Sequence, residues 1–116
     1  MLARIGTTLL LACAFSSSDA NSDNGSNAVL SVTIHDSGNA LITLGSSANT
    51  EGCATPALKN YILIPKTNAN FNAMYATALL ALSTDRPIQG WVNGCTDVWG
   101  NGSFVIVTAT TISVSK

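Results

Sequence analysis

The chain has 116 residues, of which 47% are apolar and 9% charged, and its five basic and six acidic residues give a formal net charge of −1. That length supports one core and is short for two ordinary domains. The charged fraction lies far below the roughly 25% usual in soluble domains, so solubility falls to neutral Asn, Ser, Thr and Gly. With no basic cluster there is no footprint for a phosphate backbone or an anionic membrane, and no nucleic-acid partner is expected.

Residues 1–20, MLARIGTTLLLACAFSSSDA, place one basic residue, Arg4, before an apolar run from Ile5 to Phe15 and then small residues ending at Ala20. That order reads as a secretory signal peptide, too short to span a bilayer and cleaved after Ala20. A second reading makes Cys13 the lipidated first residue of a lipoprotein, although Leu11 stands where a small residue is usual. Either way a secreted or periplasmic protein is expected, with residues 21–116 as a single domain. Of the three cysteines, Cys53 and Cys95 lie beyond the leader, and in an oxidising compartment they imply one disulfide. A loop of that length is stabilised by about 4 kcal/mol in the chain-entropy model. The one histidine, His35, completes no zinc-ligand spacing with them, so no metal is expected.

In chain order, Asn21 to Asn27, NSDNGSN, is polar and glycine-containing and reads as a lead-in or loop. Val29 to Ile34 and Leu41 to Leu44, separated by Asp36-Ser37-Gly38-Asn39, read as a hairpin. SSANTEGCATPALK is a loop, and NYILIP is a third strand closed by Pro65. The period then changes. Phe71, Met74, Tyr75, Ala78, Leu79 and Leu82 fall on one face of a helix of about four turns. Asn68 or Asn70 is placed to cap its start, and it should stop before Thr84-Asp85-Arg86-Pro87. PIQGWV is a fourth strand and SFVIVTATTISVS a long fifth. The order β-β-β-α-β-β is that of a mainly β, five-stranded oligonucleotide/oligosaccharide-binding (OB) barrel, with a helix on an open antiparallel sheet as the alternative.

Complete catalytic sets are missing. His35 and Asp36 sit at a turn, where a locally hydrogen-bonded histidine is the common case. The sequence has no G-x-S-x-G, H-E-x-x-H or phosphate loop. The carboxylates Asp23, Asp36, Glu51, Asp85 and Asp97 are scattered on expected loops, so neither an enzyme nor a cofactor is expected. The most unusual stretch is WVNGCTDVWGNGS, residues 91–103. It reads first as a corner, with Cys95 tying the end of the fourth strand to the Cys53 loop and Asn93-Gly94 and Asn101-Gly102 turning the chain. Trp91, inside a strand, reads as packing. Trp99, in a glycine-rich turn, reads as exposed and able to stack on the apolar face of a sugar, with a subunit contact or a core lid as alternatives. Asn24-Gly25-Ser26 and Asn101-Gly102-Ser103 match the glycosylation sequon and are read as turns.

Two segments resemble a known family. FNAMYATALLALSTDRPIQGWVNGCTDVWG and AVLSVTIHDSGNALI are similar to the helix–strand–turn and first hairpin of the bacterial B subunits of the subtilase-cytotoxin and typhoid-toxin kind and their small secreted relatives. The resemblance implies an OB-type barrel, assembly into a homo-oligomeric ring, recognition of host or environmental glycans, and a secreted enzymatic subunit as a possible partner. By offset from His35 the family's sugar contacts fall at Asp23 and Asn27, where Asn27 stands in place of the toxins' serine and Ser26 is adjacent. The ligand residues expected are therefore Asp23, Ser26, Asn27 and Trp99. A structural or partner-docking protein without sugar affinity is the competing reading.

Expressed with its own N-terminus in a bacterial host, the chain is expected outside the cytoplasm as residues 21–116. An intact mass that retains Met1 would contradict the leader.

Overall fold

The computed structural model describes residues 21–47, 51–53 and 60–116. The leader reading of residues 1–20, and with it the role of Cys13, lies outside the described residues, as does most of the loop after Ser47. Five strands and one helix are described: β1 (Ser22–Ile34), β2 (Ala40–Leu44), β3 (Tyr61–Ile64), α1 (Phe71–Thr84), β4 (Pro87–Asp97) and β5 (Val105–Val114). The mainly β class and the order β-β-β-α-β-β match the sequence expectation.

The strands are hydrogen-bonded in the order β1-β2-β3-β5-β4, and β4 returns to β1, so the sheet closes on itself. All pairs are antiparallel except β3 with β5, where Ile62 faces Val107 and Leu63 faces Thr108. The first hairpin forms as expected, with Val32 opposite Ile42 and Ile34 opposite Ala40. His35 N–H donates to Asn39 O across the turn, where Gly38 takes a φ of 90°.

Closure depends on β1 being longer than its composition suggests. Asn21 to Asn27 does not form a separate lead-in. Ser22 to Asn27 belong to β1, and Asp23, Ser26 and Asn27 pair with Trp91, Gln89 and Ile88. Three residues of β1 there span two of β4, and the extra residue is absorbed at Asn24-Gly25, with Gly25 at φ 84°. This is a β-bulge, which bends a strand and raises its twist. β1 pairs β4 through its first half, Ser22 to Ala28, and β2 through its second, from Val29.

Inside the closed sheet lie Val29, Ile42, Leu44, Ile62, Ile64, Ile88, Val92, Val107 and Ala109, plugged by Met74, Ala78 and Ala81 of α1. A second cluster, Leu41, Leu63 and Ile106, sits on the other face of β2, β3 and β5 under Tyr61, Val98 and Phe104. The segment 98–104 thus folds over the outside of the sheet, and Phe104 meets Tyr61 edge to face with ring centroids 5.9 Å apart. Burial on both faces accounts for the unbroken apolar run of β3.

The helix departs from expectation in three details. Leu79 and Leu82, assigned to the buried stripe, are exposed, and the buried positions are Met74, Ala78 and Ala81. α1 has no charged residue, so apolar spacing fits more than one face and does not select the buried one. Asn70 occupies the N-cap without a side-chain cap bond; Asn68 Oδ1 instead accepts from Asn70 N–H at 2.8 Å. The helix also runs through Thr84 and ends at Asp85, in the left-handed region at φ 56°, before Pro87.

The Cys53–Cys95 disulfide is present, with a sequence separation of 42. Replacing both cysteines by serine is expected to lower the unfolding free energy by up to about 4 kcal/mol, read from urea denaturation of the oxidised protein against the variant. Equal midpoints would show that the bridge adds no stability.

Candidate functional site

β4 alternates cleanly at its start. Ile88, Gly90 and Val92 are buried, so Gln89 and Trp91 face outward. Residues directly opposite in an antiparallel pair share a face. Asp23 stands opposite Trp91, and Ser26 opposite Gln89, on one side; Thr111 and Ser113 stand opposite Trp91 and Gln89 on the other. The outer face of β1, β4 and β5 thus collects an indole, a carboxylate, an amide and three hydroxyls.

This patch is pre-positioned. Gln89 Nε2 donates to both oxygens of Asp23, at 3.2 and 3.1 Å, and Gly25 N–H donates to Asp23 Oδ1 at 2.8 Å. The bulge within the β1–β4 pairing thereby also fixes the carboxylate. Trp91 is 37% exposed, which corrects its reading as a packing residue. Its backbone carbonyl accepts from Thr110 Oγ1 at 3.1 Å, at a second bulge where β5 carries the extra residue.

The structure brings Asp23 and Ser26 together and separates the other two expected site residues from them. Asn27 pairs with buried Ile88 and so faces the opposite way. Its Oδ1 accepts from Ser46 Oγ at 2.6 Å and its Nδ2 donates to Asn24 O at 3.3 Å, so both ends of the amide are engaged within the fold. Trp99 is 55% exposed, as expected, but packs edge to face on His35 with centroids 4.5 Å apart. His35 follows the far end of β1, about 26 Å of extended strand from Asn27. Its Nδ1 accepts from Ser37 N–H at 3.0 Å and lies 2.9 Å from Ser37 Oγ, the local bonding expected of a turn histidine. Nε2 is buried without a hydrogen-bond partner among the described residues.

Asp97 holds the Trp99 loop from the end of β4. Its Oδ1 accepts from Gly100 N–H at 2.9 Å and its Oδ2 from Gly102 N–H at 2.8 Å. Asn93-Gly94, expected as a turn, is instead a bulge inside β4, which continues to Asp97. There Gly94 N–H donates to Glu51 Oε1 at 2.8 Å, and Ser22 Oγ donates to Glu51 Oε2. The Ser22 hydroxyl and then the Gly94 amide stabilise the ionised form and hold the Glu51 carboxyl below its ordinary value, against a smaller opposing effect of burial. Glu51 therefore joins the start of β1 to the late part of β4, two residues from the disulfide. Among the described residues no group of three His, Cys, Asp or Glu is placed to hold a metal, and no helix is long and apolar enough to cross a membrane.

Sequence reasoning missed Gln89 and Trp91. The signal was parity: if Ile88 and Val92 are core, Gln89 and Trp91 point the other way. Compared with known proteins, the chain matches no family model, and no characterised protein matches it.

A carboxylate whose value is depressed on folding stabilises above its ordinary value, and that contribution is lost as pH falls through the folded one. The stability gap between wild type and Glu51→Gln is therefore expected to be present at neutral pH and to shrink below the ordinary value of 4.5. Urea unfolding across a pH series measures it. A constant gap down to strong acid would remove Glu51 from this role.

Proposed function

We propose that the protein is a secreted or periplasmic, non-catalytic glycan-binding module on an OB-type barrel, resembling toxin B subunits, whose sugar site is the outer face of β1, β4 and β5. The observation that carries this reading is Trp91 directly opposite Asp23, with the Asp23 carboxylate held by Gln89. A pyranose presents an apolar face of C–H bonds and an edge of hydroxyls. The indole takes the first by stacking, and the carboxylate and amide accept and donate to the second. Ser26, Thr111 and Ser113 ring the platform with further hydroxyls. Among the described residues there is no pocket, so binding is to an open surface and weak per site, and several copies in one assembly would supply useful avidity.

The barrel assignment is supported by the closed strand order, the parallel β3–β5 pair and the helix between β3 and β4. Assembly is supported by the charge-free helix, whose Leu79, Leu80 and Leu82 are exposed. That same surface favours the second reading, a structural protein that docks a partner without binding sugar. Secretion is supported by the leader-like residues 1–20 and by the disulfide.

Oxidised residues 21–116 applied to a broad glycan array, with light scattering for mass, test the reading. Selective binding abolished by Trp91→Ala, weakened by Asp23→Asn and kept by Trp99→Ala is expected of an oligomer. Loss with Trp99→Ala alone would move the site to the His35 end, and a blank array from folded oligomer would leave the docking reading.

A further inference from the structure

The sequence has three Asn-Gly pairs among the described residues, Asn24-Gly25, Asn93-Gly94 and Asn101-Gly102. Asn-Gly is the dipeptide most prone to spontaneous deamidation, because glycine leaves its amide nitrogen open to attack the preceding side chain. In the step, the glycine N–H loses its proton to a solvent base and the nitrogen bonds to the asparagine Cγ. The Cγ–N bond breaks, and ammonia leaves. Water then opens the succinimide to aspartate or isoaspartate, so one water is consumed and one ammonia released.

In all three pairs the attacking nitrogen is tied to a carboxylate. Gly25 N–H donates to Asp23 Oδ1, Gly94 N–H to Glu51 Oε1 and Gly102 N–H to Asp97 Oδ2, each at 2.8 Å. These three carboxylates are half of the chain's six acidic residues. A carboxylate against an amide N–H opposes its deprotonation, since the resulting anion would face a like charge, and the bond must break before the nitrogen can turn to Cγ. We infer that Asp23, Glu51 and Asp97 guard the three Asn-Gly pairs against succinimide formation, and that Asn101 is the modification site opened when Asp97 is lost.

Asn101 is singled out by its own contacts. It is exposed, and its Oδ1 accepts from Ser103 N–H at 3.0 Å and Ser103 Oγ at 2.6 Å. Those donors draw electron density from the side-chain carbonyl and make Cγ a better electrophile. The electrophile is activated while the nucleophile is withheld, so the Asp97 contact controls the rate. Asn24, by contrast, is 1% exposed, which bars water from the later step. Conversion at Asn101 would add a negative charge two residues from Trp99, in the loop that covers β2, β3 and β5.

Peptide-resolved mass spectrometry of protein held at mildly alkaline pH tests this, with each tryptic or chymotryptic fragment scored for the mass gain of deamidation and for isoaspartate. A charge-assisted hydrogen bond that must first break slows a reaction by about tenfold, and by less in an exposed loop. Asp97→Ala is therefore expected to raise the rate at Asn101 several-fold while Asn24 and Asn93 keep theirs, and Glu51→Gln to do the same at Asn93 alone. An unchanged or slower rate at Asn101 in Asp97→Ala, with the disulfide intact, would overturn the inference, the slower rate marking the carboxylate as a general base. If Asp97→Ala loosens the domain and all three pairs accelerate, Asp97→Asn is read instead, because it keeps an acceptor and removes the charge. Acceleration confined to Asn101 supports the guard, and no acceleration overturns it.

Discussion

Everything that positions the candidate site follows from β1 pairing on both of its edges, with β2 through its second half and with β4 through its first. One strand does this by bending, and β1 carries two bulges, one at Asn24-Gly25 within the half paired to β4, with a positive-φ glycine, and one at Leu30 just past the change of partner. Without the β1–β4 pairing the sheet would have two open edges. Asp23 would also lose its neighbours Trp91 and Gln89, so the fold and the proposed sugar platform rest on the same hydrogen bonds.

Bulges recur wherever the closed sheet must curve. The extra residue lies at Asn24-Gly25 and at Leu30 in β1, at Asn93-Gly94 in β4 and at Thr110 in β5. At Leu30 the displaced side chain is left 60% exposed. At the two glycine bulges, and again in the Trp99 loop, an acidic side chain takes the glycine N–H. A chain with few charges thus places them where backbone donors would otherwise lack ladder partners. Around Cys95 this gives two links between the loop at residues 51–53 and β4, one covalent and one through Glu51.

The parts of this arrangement that were readable from sequence are those settled locally. The turn Asp36 to Asn39, the apolar run of β3 stopped by Pro65, and the helix from Phe71 follow from short-range pattern and turn chemistry, and the exposure of Trp99 follows from its glycine-rich surroundings. The first half of β1 was not readable. NSDNGSN has turn composition, and its strand character comes from Pro87 to Val92, more than sixty positions away in sequence. The buried face of α1 was equally opaque, because no charge marks the outer side. Trp91 was readable in principle from the parity of β4, but an indole within a strand reads as core until its partner strands are known.

The β1–β4 closure is tested most directly by amide hydrogen exchange, resolved by residue, in the oxidised protein. With the sheet closed, ladder amides in Ser22–Ala28 and Pro87–Val92 are expected to be protected to the same degree as those of the Val29–Ile34 hairpin strand and to open with them. Fast exchange across Ser22–Asn27 beside a protected hairpin would contradict closure. The segment would then be a loop, the sheet open at β1 and β4, and Asp23 no longer fixed beside Trp91.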